Sequence, residues 1–282
     1  MKAIKMSTLK QRALTALVLA FLLAFCLFAV PPVLFSLIIM LPIVLAGREW
    51  CNLAEIESKV GKFVLMLTLV CSLIFIFFKL DVSGNFDREL SYQICLYSLG
   101  LWAVILLWIQ GYPSSQILWA KTPIILGLGF VLLTTTWTAF TAIVLYDNGR
   151  WLLLLAILIV ALADIGGYFA GNLMGRRKLA PLVSPGKTWE GFMGGLVLQG
   201  LLILILKMLF QDLSVLDLTI LIIPVALSSV VGDLFESMLK RQSGVKDSSS
   251  LLPGHGGILD RIDGVMPALP VFWVLLLQSK VF

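Results

Sequence analysis

Nine apolar runs, separated by short polar connections, are the feature that most restricts how this chain can fold. A bilayer core about 30 Å thick needs about 20 apolar residues for one helical crossing. We therefore expect an all-α, polytopic integral membrane protein with about nine transmembrane helices. The runs span residues 13–30, 33–46, 60–79, 92–110, 122–146, 151–171, 190–210, 216–235 and 265–277.

The composition excludes an ordinary soluble domain. Of 282 residues, 60% are hydrophobic and 13% are charged, whereas soluble domains are about half apolar and about a quarter charged. The net charge of +5 comes without a basic run interleaved with exposed aromatics, so we expect no nucleic acid partner. The four cysteines form no Cys-x-x-Cys pair, which argues against a disulfide framework or a zinc site. One membrane body without a sizeable soluble domain remains.

The basic N-terminus and the run at 13–30 look like a signal peptide, but no small-x-small cleavage site follows before Pro31. We expect this run to be retained as the first membrane helix. The run at 33–46 is short, contains Pro42, and by length alone could be re-entrant. Nine crossings with the N-terminus inside place sixteen of the 21 Lys and Arg residues on the cytoplasmic side. This strong positive-inside bias collapses if 33–46 does not cross, so we expect it to cross.

A polar stretch from residue 233 to residue 264 carries groups suited to a phosphate ester. On a helix, Asp233, Glu236 or Ser237, and Lys240 lie three and four residues apart and share one face. A carboxylate and a cation then point the same way. The alternative is a solvated charged loop between two hydrophobic helices.

A glycine-rich turn and two more acids complete this stretch. The turn holds the chain's one histidine, His255, before Gly256 and Gly257, whose missing side chains let the backbone approach a ligand closely. Asp260 and Asp263 follow, about one helical turn apart. Hard oxygen ligands of this kind suit Mg²⁺, which commonly bridges carboxylates to substrate phosphates.

A second polar stretch covers residues 164–191. Ser184 followed by Pro185 is typical of a helix start, with a capping hydroxyl and a proline in the first turn. The start of a helix attracts anions, so we expect a phosphate site beside Lys187 and Thr188. The Gly-Lys-Thr sequence is not a Walker loop, because Pro181 stands where that pattern needs glycine.

Acidic residues also occur outside the main motif. Asp164 lies within an apolar run, where an acid usually faces a polar interior or a functional pathway; the alternative is a helix-end aspartate bonded to the glycine-rich backbone. The segment 47–61, with Glu49, Glu55 and Glu57, is interpreted as a solvated amphipathic surface piece rather than a site. The outer connections are interpreted as purely structural.

Both polar stretches resemble the phosphatidate cytidylyltransferases, also called CDP-diacylglycerol synthases. The family signature runs Ser, Lys-Arg, Lys-Asp, His-Gly-Gly and Asp-Arg-x-Asp. In the second stretch, Gly167 stands where the family is expected to carry alanine. The resemblance covers residues 164–263, and the first 150 residues are similar mainly in being hydrophobic. The matching signature residues here are Ser237, Lys240, Arg241, Lys246, Asp247, His255, Gly256, Gly257, Asp260, Arg261 and Asp263.

The resemblance implies that CMP passes from CTP to phosphatidic acid, giving CDP-diacylglycerol and pyrophosphate in phospholipid biosynthesis. The enzyme would be a Mg²⁺-dependent nucleotidyltransferase, with a second metal ion expected. The residues suit this chemistry, because two polyanions can meet only if cations offset their charge. We accordingly divide the membrane body into helices one to five, residues 1–150, and a catalytic region, residues 151–282.

Roles follow for individual residues. His255 either donates to a phosphate or braces the turn through the backbone, and Glu190 and Glu236 are expected to orient neighbouring lysines. The predicted metal ligands are Asp233, Asp260 and Asp263, with Asp164 and Asp247 as further candidates. The predicted catalytic set is Asp233, Asp260, Asp263, Lys240, Arg241 and His255. The predicted substrate-binding set is Ser184, Lys187, Thr188, Ser237, Lys246, Gly256, Gly257 and Arg261.

Two other functions compete with this one. A CDP-alcohol phosphatidyltransferase would carry acids four residues apart, whereas Asp260 and Asp263 are three apart. An anionic-solute transporter would spread its charges near the bilayer midplane over several helices, whereas these charges cluster at one face. We expect a multi-pass protein of the cell inner membrane with its site facing the cytoplasm, and similar proteins suggest a homodimer.

Overall fold

The computed structural model describes residues 2–252, 254 and 256–279. It is built from helices, with one two-stranded hairpin in the described part of the chain. The helices are α1 Lys2–Ala29, α2 Pro32–Leu53, α3 Lys59–Lys79, α4 Arg88–Gln110, α5 Gln116–Trp119, α6 Thr122–Val144, α7 Gly149–Met174, α8 Trp189–Leu209, α9 Val215–Gln242, α10 Leu259–Ile262 and α11 Val265–Gln278. The strands are β1 Lys178–Ala180 and β2 Ser184–Thr188.

Among the described residues, seven helices are long and apolar enough to cross a membrane, namely α2, α3, α4, α6, α7, α8 and α9. The prediction of an all-α, multi-pass membrane protein is therefore confirmed. The other two predicted crossings correspond to shorter apolar helices, residues 17–29 of α1 and the 14-residue α11. At about 1.5 Å per residue, α11 is shorter than the bilayer core is thick.

The second apolar run forms a longer helix than its sequence predicts. We expected residues 33–46, whereas α2 continues to Leu53 with Pro42 inside it. Ala46, Glu49, Trp50 and Leu53 then recur at helical spacing and are all buried. The interpretation of Glu49 as part of a solvated surface segment is wrong, because the extra turns carry it onto the buried face, where it is 3% exposed.

The hairpin also corrects a prediction. Ser184 does not begin a helix, since it is the extended first residue of β2 and pairs with Ala180 of β1. A residue before proline is biased away from helical angles, which explains the extended backbone at Ser184. Helix α8 begins at Trp189, where the Thr188 hydroxyl accepts a hydrogen bond from the Gly191 N–H at 3.1 Å.

Helices α7 and α8 pack closely through glycines. A side chain added at Gly166 or Gly194 would overlap the backbone or side chain of the facing helix, with Ala170 the nearest obstacle to Gly194. Small residues allow membrane helices to approach closely, which is where their packing energy comes from. The hairpin connects these two helices, and its strand β2 contacts α9.

Gly194→Val is expected to lower the free energy of unfolding by about 1–3 kcal/mol, the usual cost of overpacking. Gly200→Val is the matched control on the same helix. Apart from the backbone of its own helix turn and its two chain neighbours, no atom lies within 4 Å of a carbon added at Gly200. Thermal unfolding in detergent measures both. Equal Tm values for the two variants would contradict the close crossing.

The centre of the body is formed by α6, α9 and α11, which pack together with α4. Buried tryptophans join neighbouring helices through hydrogen bonds. Trp137 donates to the Ser36 carbonyl at 2.9 Å, Trp50 donates to the Ile125 carbonyl at 2.8 Å, and Trp273 donates to the Ser91 hydroxyl at 3.2 Å. These bonds join α2 to α6 and α4 to α11, and α11 in turn packs against α9.

Candidate active site

The last turns of α9 place acidic and basic side chains on one face. The helix continues to Gln242, beyond the apolar run that ends near residue 235, and therefore includes Lys240. The Lys240 ammonium lies 2.5 Å from Glu236 Oε2 and 2.7 Å from Asp260 Oδ1. One turn earlier, the Ser237 hydroxyl donates to Asp233 Oδ1 at 3.3 Å. The shared face predicted from the spacing is present.

Lys240 joins the helix to the loop that follows it. Its partner Glu236 is fully buried and Asp260 is 6% exposed. Glu236 Oε1 is buried without a hydrogen-bond partner in the described structure. Because a buried carboxylate is costly unless it is paired, this lysine is needed for the local fold.

Asp260 is surrounded by donors. Its Oδ2 accepts hydrogen bonds from the Gly257 N–H at 2.7 Å, the Ser248 N–H at 3.0 Å and the Ser248 hydroxyl at 2.8 Å. Burial opposes ionisation of Asp260, but Lys240, Gly257 and Ser248 outweigh it and lower its pKa to about 2. Asp260 is therefore a carboxylate at neutral pH, with both oxygens occupied by the protein.

Asp263 lies at the end of α10, against α9. Its Oδ1 accepts a hydrogen bond from the Gly264 N–H at 2.7 Å. A side chain at Gly232 would overlap the Asp263 carbonyl, so this glycine lets α9 approach the acidic turn. Burial, reinforced by the charges of Asp233 and Asp164, raises the pKa of Asp263 to about 7. A nearby cation would therefore favour the ionised form of Asp263.

A cavity of about 370 Å³ lies between α7, α8, the hairpin and α9. Lys187 of strand β2 lines this cavity, and its ammonium group lies 2.6 Å from Asp233 Oδ2. Asp164 lines the same cavity. The remaining wall is largely apolar and includes Ala163, Phe192, Leu196, Ala226 and Val230. The structure thus brings together one acid from each of two helices and a cation from the hairpin, beside an apolar surface.

The charges of this cluster suit a divalent cation. The acids Asp164, Asp233, Glu236, Asp260 and Asp263 outnumber the nearby cations Lys187, Lys240 and Arg261 by two. Carboxylate oxygens are also the ligands that Mg²⁺ prefers. Among the described residues, no three such side chains converge as a finished ligand shell, and Asp233 and Asp260 are each paired with a lysine. Donor chemistry and charge fit Mg²⁺.

Other predicted site residues occupy varied positions. Thr188 is buried as the cap of α8, and Arg241 donates from Nε to the Val183 carbonyl at 3.2 Å, which ties α9 to the hairpin. Glu190 accepts hydrogen bonds from the backbone N–H groups of Arg176 and Arg177, and so connects the start of α8 to the junction between α7 and β1.

The remaining predicted site residues differ in exposure. Ser184 is half-buried in β2, and Gly256, with a φ of 81°, adjoins Asp260. Lys246, Asp247 and Arg261 are exposed, and His255 lies outside the described residues.

Three residues near the site were missed by sequence reasoning, namely Glu49, Ser248 and Ser249. Glu49 accepts hydrogen bonds from the backbone N–H groups of Ile258 and Leu259, just before Asp260. Its spacing from Ala46, Trp50 and Leu53 was the available signal. The two serines lie in an irregular loop, and no sequence pattern marks their contacts.

Comparison with known proteins agrees with this architecture. The profile of the cytidylyltransferase family matches residues 10–278. A phosphatidate cytidylyltransferase of Haemophilus influenzae is 38% identical over 286 residues, covering 94% of this chain and 97% of the relative. One from Pseudomonas aeruginosa is 38% identical over 281 residues, covering 95% and 97%. One from Staphylococcus saprophyticus is 45% identical over 154 residues, covering 54% and 55%. The chain, a nucleotidyltransferase embedded in a membrane, therefore belongs to the cytidylyltransferase family.

Proposed function

We propose that this chain is a phosphatidate cytidylyltransferase, and that the cavity beside Lys187 and Asp233 is where CMP passes from CTP to phosphatidic acid. The observation that carries this proposal is that one cavity is lined both by apolar side chains and by the charged residues Asp164, Lys187 and Asp233. A lipid phosphate needs both surfaces, because its acyl chains must stay in an apolar environment while its head group meets cations. The relatives named above carry the name of this activity.

In the proposed reaction, an oxygen of the lipid phosphate attacks the α-phosphorus of CTP. A bond from that oxygen to phosphorus forms, the bond between the α- and β-phosphates breaks, and pyrophosphate leaves with the bonding electrons. A lipid phosphate is already an adequate nucleophile, so no strong general base is required. The rate then depends on positioning and on charge neutralisation.

The basic side chains are assigned to the phosphates. Lys187 is delivered to the cavity by β2 and is the first candidate for contact with the lipid phosphate. Arg241, Lys246 and Arg261 are exposed, and arginine offers a planar fork suited to phosphate. Lys240 is held by two carboxylates, so we assign it chiefly to fixing Asp260.

Asp233 and Asp263, with Asp260 and Asp164 nearby, are proposed to hold Mg²⁺. Bound there, the metal would offset phosphate charge and stabilise the departing oxygen. Asp233 would first have to exchange its contact with Lys187, which would release that lysine for a substrate phosphate. The two assignments are therefore linked.

The site is proposed to face the cytoplasm from the cell inner membrane. The distribution of Lys and Arg between alternate connections supports this orientation, and CTP is found on that side. The homodimer stays a prediction.

Purified protein given labelled CTP, phosphatidic acid and Mg²⁺ is expected to form a lipid-soluble cytidine product and pyrophosphate. Omission of phosphatidic acid or of Mg²⁺ is the control and should abolish the product. Consumption of CDP-diacylglycerol with an alcohol acceptor would instead identify a phosphatidyltransferase. Movement of an anionic solute across proteoliposomes without chemical change would identify a transporter.

A further inference from the structure

We propose that Glu49 is a positioning residue for this reaction, which holds residues 248–249 and 258–259 so that Asp260 lies at the site. The inference rests on the proposed function, since positioning has a catalytic meaning only if this cavity transfers CMP. Glu49 belongs to the second helix, in the half of the chain whose role was undefined by its sequence. It thereby links the N-terminal helices to the chemistry.

The Glu49 carboxylate accepts hydrogen bonds from residues close to Asp260 in the sequence. Its Oε1 accepts from the Ser249 hydroxyl at 2.6 Å and the Ile258 N–H at 3.0 Å, and its Oε2 accepts from the Leu259 N–H at 2.7 Å. With the side chain 3% exposed, these directed bonds replace water around a buried carboxylate. All of these donors are neutral, so a change in their positions would leave the charge poorly satisfied.

The same backbone surrounds Asp260. The Ser248 hydroxyl lies 2.8 Å from Asp260 Oδ2 and 3.1 Å from Glu49 Oε2, and its one proton can bond only one of them at a time. Gly257 donates its N–H to Asp260, and a side chain on Gly257 would overlap both Ser248 Oγ and Glu49 Oε2. The two carboxylates therefore share Ser248 and Gly257 as neighbours, so we infer that their positions are coupled.

The described residues before Asp260 need contacts with other elements to fix their position. Residues 243–252 and 256–258 form turns, bends and an isolated bridge between Leu252 and Gly256 rather than a helix or sheet. Their own secondary structure therefore does not fix Asp260. Lys240 holds Asp260 from the side of α9, and Glu49 holds the preceding residue from the side of α2. With both contacts in place, Asp260 has a defined position relative to Asp263.

The test is Glu49→Gln, because glutamine keeps the shape but turns an NH₂ group toward a backbone N–H donor. Glu57→Gln is the matched control, since Glu57 is exposed and lies four residues beyond Leu53, the last buried residue of α2. Trp137→Phe is a second comparator, since it removes a buried hydrogen bond to the same helix α2 far from the site. The measurements are kcat, the Mg²⁺ concentration that gives half-maximal activity, Tm, and hydrogen exchange of the 258–259 amides.

We expect Glu49→Gln to lower kcat by about 10–100-fold, as loss of a positioning partner of a metal site commonly does. It should also raise the half-maximal Mg²⁺ concentration and speed exchange at Ile258 and Leu259. Glu57→Gln should match the wild type, and Trp137→Phe should lower Tm without changing the Mg²⁺ response. Hydrogen exchange needs no substrate, so it tests the anchor even if the wild type makes no cytidine lipid.

Two results would overturn the proposal. Wild-type kcat and Mg²⁺ response in Glu49→Gln would show that the segment is held without this carboxylate. A loss of activity that only follows Tm, as in Trp137→Phe, with unchanged exchange at 258–259, would show that Glu49 serves stability alone.

Discussion

Asp233→Asn is expected to lower the rate of CDP-diacylglycerol formation by more than about 100-fold, beyond the cost typical of residues that act through a ligand. Asp233 lies on the rim of the cavity, 2.6 Å from Lys187. An amide in its place cannot offset a metal charge or pair with the lysine. The measurement is the steady-state rate of lipid-soluble cytidine product at saturating CTP, phosphatidic acid and Mg²⁺.

Asp217→Asn provides the matched control, because Asp217 lies in the first turn of the same helix, at the end opposite to the site. It is expected to keep near wild-type activity. Both variants should show similar helix content by circular dichroism and elute as folded protein. Full activity in Asp233→Asn would refute the assignment of this acid to the metal and the phosphates, while leaving the family unchanged.

Hydropathy predicted most of the fold because the bilayer imposes one length on every crossing. The runs at 60–79 and 122–146 coincide with α3 and α6 to within two residues at either end. The shared face of α9 was also predictable, since spacings of three and four residues determine which side chains meet on a helix. Local rules succeeded for these elements because the geometry of a single helix determines them.

Local rules failed where a contact joins distant parts of the chain. Ser184 has the sequence of a cap, but strand pairing with β1 keeps it extended and moves the helix start to Trp189. Glu49 looks like a surface acid from its own segment, but it is bonded by Ser249 and Leu259, about two hundred residues later in the chain. The site itself depends on such contacts, because its acids come from α7, α9 and the turn before α11.

Lys240→Met is expected to lower the free energy of unfolding by about 3–5 kcal/mol, the usual cost of removing one partner of a buried ion pair. Methionine keeps most of the volume but leaves Glu236, which is fully buried, without its cation. Asp260 loses one of its donors but keeps those from Gly257 and Ser248. The loss of stability therefore comes mainly from the unpaired Glu236 carboxylate. Thermal unfolding in detergent micelles measures this loss as a lower Tm.

The double variant Glu236→Gln, Lys240→Met separates a buried charge from lost packing. Removing the charge of Glu236 should restore at least half of the lost stability, because an unpaired buried carboxylate costs more than an absent pair. Activity should stay low in the double variant, since Asp260 is then held only by Gly257 and Ser248. If Lys240→Met unfolds at the wild-type temperature, then Glu236 is not paired with Lys240 in the membrane. If the double variant recovers activity as well as stability, then Lys240 serves the fold alone, and Asp260 is positioned entirely by the turn around Glu49.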